Sequence, residues 1–186
     1  MSKNTYNKKT EQNYDYWQNL FDGHSGYMLS AGDNEYAILR NLVLTFVAEK
    51  DSLLDLGCAS GGTYDWIKEK KRNIIYKGTD YAEKFVAANK VRHPNVIWEV
   101  EDCRDLIEAD EEFDIVLLYD VLDGLPGWEQ ALDEAYRVAK KKVIVLMWMD
   151  PGMEDKLSYM REKGLNVLDM KVEGAVHFHR ILVGYK

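Results

Sequence analysis

An α/β fold built on a mostly parallel sheet is predicted by three features of this sequence. Strand-like and helix-like segments alternate along the chain, two strand-like segments have no polar face, and a glycine-rich turn follows the first strand. The alternation begins with Tyr36, Leu39, Leu42, Val43, Phe46 and Val47, whose spacing predicts an amphipathic helix ending near Lys50. Ser52 to Leu56 reads as the first strand and runs into Gly57-Cys58-Ala59-Ser60-Gly61-Gly62, where a helix carrying Trp66 and Ile67 opens. Next come a strand at Ile74 to Lys77, a helix at Ala82 to Lys90, a strand at Val96 to Val100, a short helix or loop near Leu106, and a strand at Phe113 to Tyr119.

After Pro126, the residues Trp128, Ala131, Leu132, Ala135 and Val138 mark one face of a further helix. A strand at Val143 to Met149 and a helix at Met153 to Lys163 follow. Ile115 to Leu118 and Val143 to Leu146 are apolar at every position, as central strands covered by helices on both faces must be. The last two segments, Leu165 to Val172 and Val176 to Tyr185, are separated by only three residues. That gap is too short for a parallel crossover, so they are expected to pair as an antiparallel hairpin, with one antiparallel strand ending the sheet. The run Lys140-Lys141-Lys142 reads as dipole compensation and a solvated turn at a helix end.

Length and composition narrow the function classes. A chain of 186 residues with 46% hydrophobic content suits one domain with a sizeable core. With 32 acidic against 24 basic side chains the net charge is -8, which disfavours nucleic acid as a partner. Cys58 and Cys103 stand far apart with no ligand spacing, so no disulfide or zinc site is expected and the thiols fit a reducing compartment. The polar stretch Met1 to Gln18 is neither signal peptide nor membrane anchor, and no apolar run is long enough to span a bilayer. These features predict a soluble, cytoplasmic protein.

The strand-to-glycine-turn junction carries the chemistry. Gly57 and Gly61 permit tight backbone geometry, and the amides opening the next helix favour an anionic group. Asp80 ends the second strand, where an acidic side chain can accept hydrogen bonds from both ribose hydroxyls. Asp102 and Cys103 follow the third strand and Asp120 the fourth, so polar groups stand at successive strand ends, where open α/β sheets bind ligands.

Taken as a set, Leu53 to Gly62, Gly78-Thr79-Asp80, Glu101-Asp102-Cys103 and Phe113 to Leu122 resemble the motifs of class I S-adenosylmethionine (SAM)-dependent methyltransferases. The resemblance implies a Rossmann-like seven-stranded sheet with an antiparallel last strand. It also implies that SAM is the cofactor. Asp55, Gly57, Cys58, Ala59 and Gly61 would then hold its methionine part, Asp80 the ribose, and Asp102 with Cys103 the adenine edge, while Tyr81 and Tyr119 line the cofactor. Two positions depart from the pattern. Ala59 replaces the usual second glycine, which the turn tolerates if Ala59 keeps a negative φ, and Asp123-Gly124 stands where many relatives have a histidine. No catalytic base is carried over, and the expected acceptor is a small molecule bound near Tyr119, Asp120, Asp123, Trp148 and Met149.

Residues 1–30, with Tyr14, Tyr16, Trp17 and Phe21, are expected to form a helical lid over a domain at 31–186, and His24 is a candidate base. His177 and His179 share a strand face, but no third ligand accompanies them, so no metal site is expected. The glycine turn also approximates the NAD-binding fingerprint, so a nicotinamide-dependent oxidoreductase competes with the methyltransferase reading. A non-catalytic SAM-binding protein and an RNA methyltransferase are further alternatives. The last would need a lysine-containing tetrad, which the fifth strand's ending, Met147-Trp148-Met149-Asp150, does not supply. The sequence reading assigns no oligomeric state.

Overall fold

The structure is a computed structural model describing residues 34–123, 125–148, 153–172 and 179–186. Residues 1–30, His24 and His177, together with Gly124, Met149 and Asp150, lie outside the described residues. Helix α1 (Asn34–Thr45) leads into β1 (Ser52–Leu56), α2 (Gly62–Glu69), β2 (Ile75–Asp80), α3 (Glu83–Arg92) and β3 (Ile97–Val100). Then follow β4 (Phe113–Tyr119), α4 (Trp128–Val138), β5 (Ala139–Trp148), α5 (Met153–Glu162), β6 (Asn166–Val172) and β7 (His179–Tyr185).

These strands form one sheet in the order β3-β2-β1-β4-β5-β7-β6. β1 to β5 are mutually parallel, and β7 runs antiparallel to both β5 and β6. The chain winds outward from β1 to β2 and β3 on one side, then returns to place β4 against β1 on the other. In open α/β sheets such a reversal is where a ligand crevice forms, here above the carboxyl ends of β1 and β4. The last strand in the chain, β7, is antiparallel as expected, but it does not lie at the edge of the sheet: it inserts between β5 and β6, and β6 becomes the edge. Burial explains the order. Ile181, Leu182 and Val183 are fully buried, whereas β6 alternates exposed and half-buried positions as an edge strand does.

Alternating strand residues feed two cores. Leu54, Leu56, Val116, Leu118, Val143, Val145 and Leu182 pack against α4 and α5 through Ala131, Leu132, Ala135, Leu157 and Met160. On the opposite face, Leu53, Ile115, Leu117, Ile144, Leu146, Ile181 and Val183 meet Leu39 and Val43 of α1 and Trp66 and Ile67 of α2. β1, β4 and β5 are buried on both faces, which is why their sequences lack polar alternation.

Two local expectations are corrected. α1 stops at Thr45 rather than near Lys50, because the Asp51 carboxylate accepts the Ala48 N–H at 2.8 Å and closes a turn in which Lys50 takes a φ of 70°. The lysine run lies inside β5 rather than in a turn. There Lys141 bridges Asp51 (2.8 Å) and Asp114 (3.0 Å), and Lys142 donates to the Phe46 carbonyl at 2.7 Å. The run thus ties the amino ends of β1, β4 and β5 to the segment after α1.

Candidate active site

Beyond Leu56 the chain turns through Gly57 (φ 69°), Ala59 (φ 45°) and Gly61 (φ 75°) before α2 opens at Gly62. A Cβ on Gly57 would lie 2.6 Å from Val121 Cγ2, and one on Gly61 2.9 Å from Trp98 Cη2, so both sites need glycine for space as well as for φ. Ala59 does not keep the negative φ expected of it. The left-handed conformation is imposed from outside the turn: Asp80 Oδ2 accepts the Ala59 N–H at 2.9 Å, and Asn89 Nδ2 donates to the Ala59 carbonyl at 2.7 Å. Arg92 Nη1 adds a bond to the Ser60 carbonyl at 2.8 Å. A left-handed alanine is disfavoured by roughly 1–2 kcal/mol, part of which glycine's larger unfolded-state entropy would offset. Ala59→Gly is therefore expected to raise stability by about 0.5–1 kcal/mol, and a melting temperature at or below that of the parent would show that the strain is absent.

Asp80 is buried, and its second oxygen accepts the Ala82 N–H at 2.9 Å. The aspartate therefore fastens the glycine turn to the end of β2. Asp55 is buried one strand over and accepts a hydrogen bond from the Tyr76 hydroxyl at 2.6 Å. Burial pushes both carboxyls up to about 6, against the lowering effect of the hydrogen bonds they accept. Burial also raises the Cys58 thiol well above its usual range, so that sulfur is a packing group rather than a nucleophile.

Arg40 of α1 reaches the same turn. Its Nη2 lies 2.4 Å from where a Cβ on Gly62 would stand, so Gly62 leaves room for the guanidinium at the first residue of α2. Arg40 is 8% exposed, its guanidinium lies 5.4 Å from the Tyr36 ring centroid, and its buried Nε and Nη1 have no hydrogen-bond partner among the described residues. An unsatisfied buried cation is costly, and here it sits beside helix amides that also favour an anion. The sequence reading missed Arg40, Asn89 and Trp98. Arg40 has a signal, the lone charge within the largely apolar stretch Tyr36 to Val47. Asn89 and Trp98 have none, because nothing local distinguishes them from ordinary helix and strand residues.

The third strand end is organised by partners outside its motif. Glu101 N–H bonds to the Asp80 carbonyl at 3.2 Å, which draws the two strand ends together. The Asp102 carboxylate is bound by Arg104, Nε at 2.9 Å and Nη2 at 2.5 Å, and this guanidinium holds its carboxyl below the usual range. Arg104 also donates to the Pro126 carbonyl at 3.0 Å, so it spans from the loop after β3 to the start of α4. Cys103 is half-buried, and burial pushes its thiol up to about 12. Tyr81 and Tyr119 are half-buried at the ends of β2 and β4.

Beneath that loop, Lys77 contacts three carboxylates: Glu99, Glu101 at 3.1 Å and Glu108 at 2.5 Å. The second carboxylate oxygens, Glu101 Oε2 and Glu108 Oε2, are buried with no direct hydrogen bond of normal geometry among the described residues. Burial and the hydrogen bond with Glu99 push the Glu101 carboxyl up to about 7 from its ordinary 4.5, against the lowering pull of Lys77. The folded state thus holds this proton more tightly than the unfolded chain, and the associated stability, complete below about 4.5, is lost as pH rises through about 7. Glu101→Gln is expected to gain stability relative to the parent across that interval and to track it in parallel above it. Denaturant titrations at pH 4.5, 6 and 8 check this, and a difference that does not vary with pH would exclude a bound proton.

Residues 54–147 match the family described as a methyltransferase domain, and the chain belongs to that family. It is 28% identical over 126 residues to a probable S-adenosylmethionine-dependent methyltransferase of Mycolicibacterium smegmatis. The alignment covers 63% of this chain and 48% of the relative, so the chain spans about half of that protein's length. Among solved structures, a TehB-like SAM-dependent methyltransferase from Corynebacterium glutamicum superposes with a TM-score of 0.71 at 22% identity, covering 94% of this chain and 100% of the other. The cyclase SpnF superposes with a TM-score of 0.70 at 17% identity, over 80% and 79% of the two chains. The Rossmann-like methyltransferase fold is therefore established. Since a cyclase shares it, activity has to be argued from the site.

Proposed function

We propose that this protein binds SAM across the carboxyl ends of β1, β2 and β3 and transfers its methyl group to a small molecule held over the ends of β4 and β5. The observation that carries the reading is Arg40: a buried guanidinium with two unpartnered nitrogens, beside the glycine turn and the amides of α2, calls for a carboxylate. The methionine end of SAM supplies one. The cradle around it, from Gly57 to Gly61, has no space for side chains at its two glycines.

In this reading Arg40 and the first amides of α2 bind the carboxylate. Asp55, with Gly57, Cys58, Ala59 and Gly61, shapes the rest of the methionine pocket. Asp80, already aligned by Ala59 and Ala82, accepts the ribose hydroxyls with its remaining lone pairs. Asp102 and Cys103, held by Arg104, form the adenine edge, and Tyr81 and Tyr119 flank it. Bound SAM supplies a methyl on a sulfonium, already attached to a good leaving group. The protein's contribution is to align the acceptor with that methyl and to keep water out.

The family match and the insertion of antiparallel β7 support SAM over a nicotinamide dinucleotide. The net charge of -8 supports a small acceptor over nucleic acid. Among the described residues no helix is long and apolar enough to cross a membrane. Calorimetric titration with SAM, its demethylated product S-adenosylhomocysteine and NAD tests the assignment. Tight binding of the first two and none of NAD is expected; folded protein that prefers NAD, or ignores SAM, overturns it.

A further inference from the structure

β4 ends at Tyr119, and the next residue departs from extended backbone. Asp120 has a φ of 54°, a left-handed conformation that aspartate tolerates better than most residues, and its N–H bonds to the Leu146 carbonyl at 2.7 Å. Its neighbour Val121 packs against Gly57, so Asp120 stands between the glycine turn and the tips of β4 and β5. Strained backbone of this kind persists where the surroundings fix a side chain in place.

The antiparallel course of β7 brings its first residue to the same place. His179 pairs with Trp148 of β5 and shares its sheet face with Ile181 and Val183. Its side chain is 2% exposed, and Nε2 lies 4.0 Å from Asp120 Oδ2, whose side chain is 27% exposed. A buried imidazole therefore backs a partly open carboxylate at the acceptor end of the crevice. The sequence reading treated His179 as an ordinary sheet-face residue and named only His24 as a candidate base.

We propose, on the basis of the methyltransferase reading above, that Asp120 takes the acceptor's proton and that His179 positions Asp120 for it. The acceptor is then a nucleophile that carries a proton before transfer, a hydroxyl or an N–H. In the step, the acceptor's X–H bond breaks and its proton passes to the Asp120 carboxylate. The freed pair forms the X–CH3 bond, and the C–S bond breaks with its electrons passing to sulfur. Asp120 becomes neutral as the sulfonium charge is lost, so charge is conserved within the site. The 4.0 Å contact is longer than a hydrogen bond, as catalytic contacts often are before substrate binds and tightens them.

The test needs no acceptor. Sinefungin carries a protonated amine where SAM carries its methyl, and S-adenosylhomocysteine carries nothing there. Wild-type protein is expected to bind sinefungin at least 10-fold more tightly than S-adenosylhomocysteine, and only sinefungin should shift the His179 ring nitrogens in 15N spectra, assigned by loss of the signal in His179→Gln. Asp120→Asn, which keeps a side chain suited to positive φ, should erase the preference while leaving S-adenosylhomocysteine affinity within about 2-fold. His179→Gln should reduce the preference in the same way, a change that a purely packing role would not produce. Identical His179 spectra with both ligands overturn the proposal. So does an equal loss of both affinities in Asp120→Asn, which would place Asp120 at the shared amino-acid end. If neither ligand binds the wild type, the methyltransferase reading itself fails.

Discussion

Asp80→Ala is expected to weaken SAM binding by roughly 2–4 kcal/mol, about 30- to 1000-fold, and also to destabilise the free protein. The first effect follows from removing a charged acceptor of two ribose hydroxyls. The second was not expected from the sequence, which places Asp80 only at a ligand. In the structure the same carboxylate accepts the Ala59 and Ala82 N–H groups and holds Ala59 in its left-handed conformation. Leaving a buried donor unpaired costs about 1–3 kcal/mol, which applies to the Ala82 N–H, and less for the part-buried Ala59 N–H. Asp80→Asn separates the two effects, since its amide oxygen can still accept one of the backbone bonds while the charge is gone. Calorimetry and chemical denaturation on both variants check this, and an unchanged dissociation constant for Asp80→Ala would mean that the residue only fastens the turn.

Arg40→Met should lower SAM affinity by about 10- to 100-fold, the loss of one charge-assisted pair of roughly 1.5–3 kcal/mol. It should leave affinity for decarboxylated SAM unchanged. Stability should rise, or at least hold, because methionine keeps the apolar stem and removes a buried cation whose Nε and Nη1 have no hydrogen-bond partner among the described residues. The comparison between the two ligands is the decisive readout: wild-type protein should discriminate between them and Arg40→Met should not. Equal losses for both ligands would show that Arg40 only shapes α1 and that the carboxylate binds elsewhere.

The sequence by itself determined the elements and their class. The all-apolar strands Ile115 to Leu118 and Val143 to Leu146 could only be central, and the short gap before the last strand required antiparallel pairing. The glycine turn and the aspartates at successive strand ends marked the proposed ligand crevice, because strand ends and helix starts are encoded in contiguous residues. What the sequence left undetermined depends on contacts between residues far apart in the chain. The insertion of β7 between β5 and β6 was decided by which strand buries both faces. The positive φ of Ala59 was decided by Asp80 and Asn89, 21 and 30 residues away. Arg104 on Asp102, Arg40 at Gly62 and His179 behind Asp120 have no periodicity or spacing that would announce them. Local pattern reports burial and backbone geometry, but the partner of a buried charge is chosen by topology, and only the folded sheet brings the end of β4 to the start of β7.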